Sequence, residues 1–135
     1  MIGLLIVTHG ELAREFIAAT EHVVGPLDHC DAICIGADDD LEERRNDICQ
    51  RIAALNTGKG VLILTDMFGG TPSNLAISQL ARGKVEVLAG VNLPMMIKLA
   101  ESRSTLDLEA LAEAGEAAGK RSVARGSKVL AGTDT

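Results

Sequence analysis

The chain is 135 residues long, 47% apolar, and carries a formal net charge of −6. That length suits one domain with a core able to stand without disulfides, and the acidic balance argues against a nucleic-acid partner. Trp and Tyr are absent, leaving Phe16 and Phe68 as the aromatics, so the core is aliphatic and stacking on bases or sugar rings is a poor binding mode.

The first apolar run, Leu4 to Val7, is short and unbroken, as expected of a parallel strand buried on both faces. It ends in His9, and Gly10 permits a tight turn. A helix is expected from Glu11 to about Val24, with Leu12, Phe16, Ala19 and Val23 near helical spacing and Gly25-Pro26 ending it. Ala32 to Ile35 reads as a second strand. Asp38-Asp39-Asp40 precedes a helical pattern from Leu41 to Leu55, so these carboxylates read as caps and dipole partners rather than metal ligands. Leu41, Ile48, Ile52 and Leu55 form its apolar stripe.

Gly60 to Thr65 is a third strand, ending in Asp66. The segment Met67 to Asn74 follows, then a helix to about Arg82, with Thr71 suited to the N-cap and Pro72 to the first helical position. Val85 to Ala89 is a fourth strand. Pro94 opens a helix through about Glu101, and a last helix runs from about Leu106 to Ala118 with Gly119 past its end. Lys120 to Leu130 holds weak strand material. Residues 1–131 read as one domain and 132–135 as a frayed tail. Cys30, Cys34 and Cys49 lack metal-type pairing and read as reduced, buried or partly buried thiols. The N-terminal apolar stretch is too short for a membrane span and has no basic leader, so a cytoplasmic protein is expected.

Alternating strands and helices imply an α/β fold: a doubly wound, mostly parallel sheet with helices on both faces. With strand order 2-1-3-4, strands 1 and 3 are neighbours about 4.8 Å apart, and the cleft between them is the topological switch point. His9 and Asp66 then end adjacent strands. Asp66 accepting from Nδ1–H fixes the imidazole tautomer and leaves Nε2 a free lone pair. Gly10, Gly69, Gly70 and Thr71, with the helix start beyond, read as an anion cradle. Nucleophile, orienting carboxylate and cradle together suit phosphoryl transfer through phosphohistidine. His22, near a helix C-terminus, and His29, in a loop, have weaker claims.

Three segments make the chain resemble the enzyme IIA component of the mannose-type phosphoenolpyruvate:sugar phosphotransferase system. They are Gly3 to Gly10, Leu64 to Asn74 and Gly90 to Met95, which recur in order and at fitting spacing. The resemblance implies that His9 is phosphorylated by the phosphocarrier protein HPr and passes the group to an enzyme IIB, with Asp66 as hydrogen-bond partner and Thr71 near the phosphate. It implies no metal or organic cofactor, only indirect membrane association, and a homodimer in which a C-terminal strand is exchanged, giving the segment after Lys120 a role. Met67-Phe68 stands where some members carry Thr-Trp before the two glycines. Other readings stay open at this point: a regulatory phosphocarrier without a dedicated permease, the phosphocarrier subunit of a dihydroxyacetone kinase, a metal-binding or chelatase-like protein using His9, and a flavin binder by fold analogy.

Overall fold

Strands β1 (Gly3–His9), β2 (Cys30–Ile35), β3 (Val61–Thr65) and β4 (Val85–Ala89) form one parallel sheet of order β2-β1-β3-β4. The structure, a computed structural model, describes residues 1–132. The expected tail therefore lies, from residue 133 on, outside the described residues. Helices α1 (Leu12–Val24), α4 (Leu93–Ser102) and α5 (Leu108–Arg121) cover one face; α2 (Leu41–Leu55) and α3 (Thr71–Ile77) cover the other.

Strand alternation divides β1 between two cores. Leu4 and Ile6 pack with Leu62, Leu64 and the α4–α5 side chains Met96, Leu99 and Leu111. Leu5 and Val7 pack with Ile63, Ile48 of α2, and Leu75 and Ala76 of α3. All of Leu4 to Val7 and Val61 to Leu64 are fully buried. Each such aliphatic side chain contributes about 1.5–3 kcal/mol, enough to fix the register against the weak propensities of single residues.

Both sheet edges are guarded. Asp31 Oδ1 accepts the N–H of Ala32 at 2.8 Å on β2, and Glu86 Oε1 accepts that of Val87 at 2.8 Å on β4. A carboxylate on the main chain blocks addition of another strand there. Asp40 caps α2 as its position suggested, accepting from Glu42 N at 2.9 Å and Glu43 N at 3.3 Å, while Asp39 accepts from Gly36 N at 2.9 Å.

Several expectations need correction. In α1 the buried residues are Ala13 and Thr20, with Phe16 and Ile17 partly buried against the same core, whereas Leu12 and Val23 are about half exposed. Leu41 is exposed too, so the α2 stripe narrows to Ile48, Ile52 and Leu55. α3 stops at Ile77, where i→i−3 bonds from Gln79 and Leu80 tighten the chain. α5 continues past Gly119 to Arg121, and this glycine serves as a packing site: a Cβ there would lie 2.8 Å from Met95 Cε. Cys49 is exposed, while Cys30 and Cys34 are partly buried. Burial pushes the Cys30 thiol up to about 12, against the opposing pull of Arg103, so it stays protonated at neutral pH.

The segment after Lys120 contains no strand among the described residues. It ends α5 and then forms a short exposed helix, α6 (Gly126–Leu130). Its main chain finds local partners, such as Arg125 O accepting Val129 N at 3.1 Å, because no sheet edge within the chain receives it.

Arg103, at the end of α4, is only 4% exposed. Its guanidinium donates to the carbonyls of Asp28 and, at 3.1 Å, His29, tying α4 to the entry of β2. Substitution Arg103→Met keeps the apolar stem but removes this donor from the Asp28 carbonyl and leaves the His29 carbonyl with the Leu4 N–H alone. It should lower the unfolding free energy in urea by about 2–4 kcal/mol.

Candidate functional site

The site forms where β1 and β3 run out. Their register pairs Val7 with Thr65, so His9 and Asp66 lie just beyond the last paired residues. The period of two that buries Leu5 and Val7 on the α3 side sends His9 to that side as well. Thr8 points the other way. It is fully buried, and its Oγ1 accepts the Ala13 N–H at 2.6 Å. This supplies the cap that Glu11 does not provide and closes the turn around Gly10, whose φ of +54° suits glycine.

Asp66 holds His9 twice. Its Oδ2 lies 2.9 Å from Nδ1 of the ring and accepts the His9 main-chain N–H at 3.1 Å. The second bond was not anticipated from the sequence, since nothing in the pattern reports main-chain donors. Asp66 Oδ1 accepts the Met67 N–H at 3.1 Å. Desolvation raises the Asp66 pKa, but the hydrogen bonds from the His9 ring and main chain, the charge of that ring and the local main-chain bond outweigh it. The net value falls below the ordinary 3.8. Asp66 is therefore a carboxylate at neutral pH and can only accept, so Nδ1 carries the proton and Nε2 of a neutral ring is left with its lone pair.

Nε2 faces the start of α3. A Cβ on Gly70 would lie 2.9 Å from Nε2 and 2.7 Å from Cε1, so residue 70 abuts the ring and any side chain there would displace it. Gly70, not Thr71, is the N-cap of α3, and it offers no side chain. The N–H groups of Gly70, Thr71 and Ser73 and the Thr71 hydroxyl make no hydrogen bond to other described residues. The remaining two cradle candidates are engaged: Gly10 N–H donates to Ile35 O at 2.9 Å, and Gly69 N–H to Ser73 Oγ at 3.1 Å. These two glycines supply turn geometry, with Gly69 at φ +90°, rather than open donors.

The His9 side chain is about half exposed while Asp66 is 14% exposed: the orienting group is sheltered and the nucleophile open to a partner. Met67 and Phe68 are exposed beside them at 54% and 60%. His22 is exposed on α1, away from the strand ends, and His29 takes part through its carbonyl, which accepts from Leu4 N and Arg103. Among the described residues, no group of three or more His, Cys, Asp or Glu side chains gathers as a metal cage. No described helix is long and apolar enough to cross a membrane.

Two outcomes test this geometry. Asp66→Asn should lower stability at neutral pH. Because the folded pKa of Asp66 is depressed, its contribution is fully present above the unfolded value and lost as pH falls through the folded one. The gap between variant and parent in urea melts should thus shrink below the ordinary 3.8. Gly70→Ala should leave the fold intact, since φ −114° and ψ 173° suit any residue, yet shift the His9 ring resonances in NMR as the ring is pushed aside.

Comparison with known proteins gives a consistent account. The family described as EIIA-man, PTS system fructose IIA component, matches residues 3–115. The mannose-specific EIIAB component of the phosphotransferase system from Escherichia coli strain K12 is 34% identical over 104 residues; the match covers 76% of this chain but 32% of that protein. The chain thus spans about a third of the length of this relative. A sorbose-specific EIIA component from Lacticaseibacillus casei is 28% identical over 111 residues, covering 80% of this chain and 78% of that one. Among solved structures, the mannose/sorbose specific IIA subunit from Enterococcus faecalis superposes with a TM-score of 0.77 at 29% identity, covering 92% of this chain and 93% of the other.

Proposed function

Since the chain belongs to the EIIA-man family, whose members are phosphotransferase components working through phosphohistidine, we propose that His9 is its phosphate-carrying residue. The observation that carries this reading is the 2.9 Å contact between His9 Nδ1 and the Asp66 carboxylate, which leaves Nε2 as the nucleophile at an open strand end. The donor is phosphorylated HPr and the acceptor an enzyme IIB of a sugar uptake chain.

In the transfer, the Nε2 lone pair attacks phosphorus while the bond from phosphorus to the donor's carrier atom breaks and its electron pair returns to the donor. The Nδ1 proton stays on His9, shared with Asp66, whose negative charge offsets the cationic ring of the phosphorylated form. Phosphate oxygens take the N–H groups of Gly70 and Thr71 and the Thr71 hydroxyl; Gly10 and Gly69 shape the turns on either side. Met67 and Phe68 present an apolar edge to the docking protein. The work is done in the cytoplasm by a domain spanning residues 1–131, with contact to the membrane only through partners.

The homodimer implied by the family resemblance belongs to the same reading. A groove of about 640 Å³ runs between β4 and α5, edged by Glu86, Glu109, Glu113 and Glu116 and, at its end, by Lys120 and Val123. The exposed C-terminal segment carries Arg121 and Arg125 among Val123 and Leu130, charge and apolar character that complement this groove on a second copy. Exchange of that segment as a strand requires α6 to unwind and Glu86 to release the Val87 N–H.

Incubation with phosphoenolpyruvate, enzyme I and HPr should add about 80 Da, acid-labile and mapped to His9. The His9→Ala protein should take no label, and Asp66→Asn should be labelled at least about 10-fold more slowly as tautomer control weakens. A label retained in His9→Ala would refute the assignment.

A further inference from the structure

Ser73 lies in the first turn of α3 and is fully buried. A hydroxyl so enclosed is costly unless its donor and acceptor capacities are both used. Both are used, and both on one loop. Ser73 Oγ accepts the Gly69 N–H at 3.1 Å and donates to the Gly70 carbonyl at 3.1 Å. The Gly70 carbonyl also accepts the Asn74 N–H at 3.0 Å.

Two consecutive glycines have the widest choice of main-chain conformation, so something outside them must select one. Here Gly69 is left-handed at φ +90° and Gly70 extended at φ −114°. The selected conformation brings Gly70 against the reactive edge of His9, where an added Cβ would be 2.9 Å from Nε2. Thr71 and Ser73, on either side of Pro72, thus differ in duty. The Thr71 hydroxyl is uncommitted among the described residues, while the Ser73 hydroxyl is spent on the loop.

We propose that Ser73 is a positioning residue: its buried hydroxyl clamps Gly69 and Gly70 and so sets the space over His9 Nε2 that the phosphoryl group enters. It acts through the loop and does not touch the reacting atoms. The inference deepens the phosphohistidine reading and rests on it for the transfer rate, while its loop and ring readouts stand apart from that reading.

The test compares the intact protein with Ser73→Ala, Ser73→Thr and Ala76→Gly. The last is a buried change on the same helix that leaves the clamp in place. Exchange of the Gly69 amide and the ring resonances of His9 are followed by NMR, and labelling by phosphorylated HPr is followed by mass. In Ser73→Ala the Gly69 amide should exchange about 10-fold faster and the His9 Nε2 signal should move. Labelling at saturating donor should slow by about 10-fold with the KM for the donor little changed, as expected for misplaced reacting groups. Ser73→Thr, where it folds, should recover most of each loss. The proposal is overturned if Ser73→Ala keeps the parent's Gly69 exchange and His9 signals, or if Ala76→Gly reproduces its losses. Should even the parent protein take no label, the phosphohistidine reading fails, and the Gly69 and His9 signals still decide the role of Ser73.

Discussion

The parallel pairing of β1 with β3 is the constraint on which the site depends. It places the Val7–Thr65 pair at the end of the ladder and so brings His9 and Asp66 within one hydrogen bond. The same alternation that buries Leu5 and Val7 toward α3 turns His9 toward Gly70. A slip of one residue would exchange the faces of Thr8 and His9, sending the imidazole into the α1 side and the hydroxyl away from Ala13. The aliphatic core therefore sets the geometry of the chemistry as well as the stability of the domain.

Around that pairing the fold spends its buried polarity sparingly. Among the described residues the buried polar ones are Thr8, Thr20, Thr65, Ser73 and Arg103, and Thr8, Thr65 and Ser73 stand at the strand and helix ends surrounding His9 and Asp66. Thr8 closes the turn into α1, Thr65 lies beside Asp66 and Met67, and Ser73 ties the two glycines. Buried hydroxyls whose hydrogen bonds are satisfied hold loops in one arrangement. The positions that need one arrangement are those that carry the nucleophile and its neighbours.

The course of the strands was legible because short continuous aliphatic runs bounded by turn residues leave little choice, and their alternation with helices implied a parallel sheet; the order 2-1-3-4 was an expectation that the structure bears out. Less was legible in the helices. Of the stripe assigned to α1, Phe16 packs against the core, while Leu12, Ala19 and Val23 face solvent and Ala13, Ile17 and Thr20 take the inward positions. Gly119 looked like a helix stop and proved to be a contact with Met95. At the site, His9, Asp66 and the glycines could be named from their places in the pattern. Which glycine N–H groups are already engaged, and that Ser73 engages one of them, could not, because those bonds join residues whose partners are set by a loop's three-dimensional course. The segment after Lys120 held weak strand material, yet in the structure it ends α5 and forms the short helix α6.

By itself the amino-acid order determined the strands, the positions of the turns and the two residues that end β1 and β3, because those features follow from the hydrophobic period and from where glycine and proline can sit. Tertiary structure alone decided which way the imidazole faces, that one carboxylate oxygen holds both its ring and its main chain, and that Gly70 borders Nε2. Those outcomes are distances between residues about sixty positions apart. No local rule encodes them; they exist only once the core has locked the strands in register.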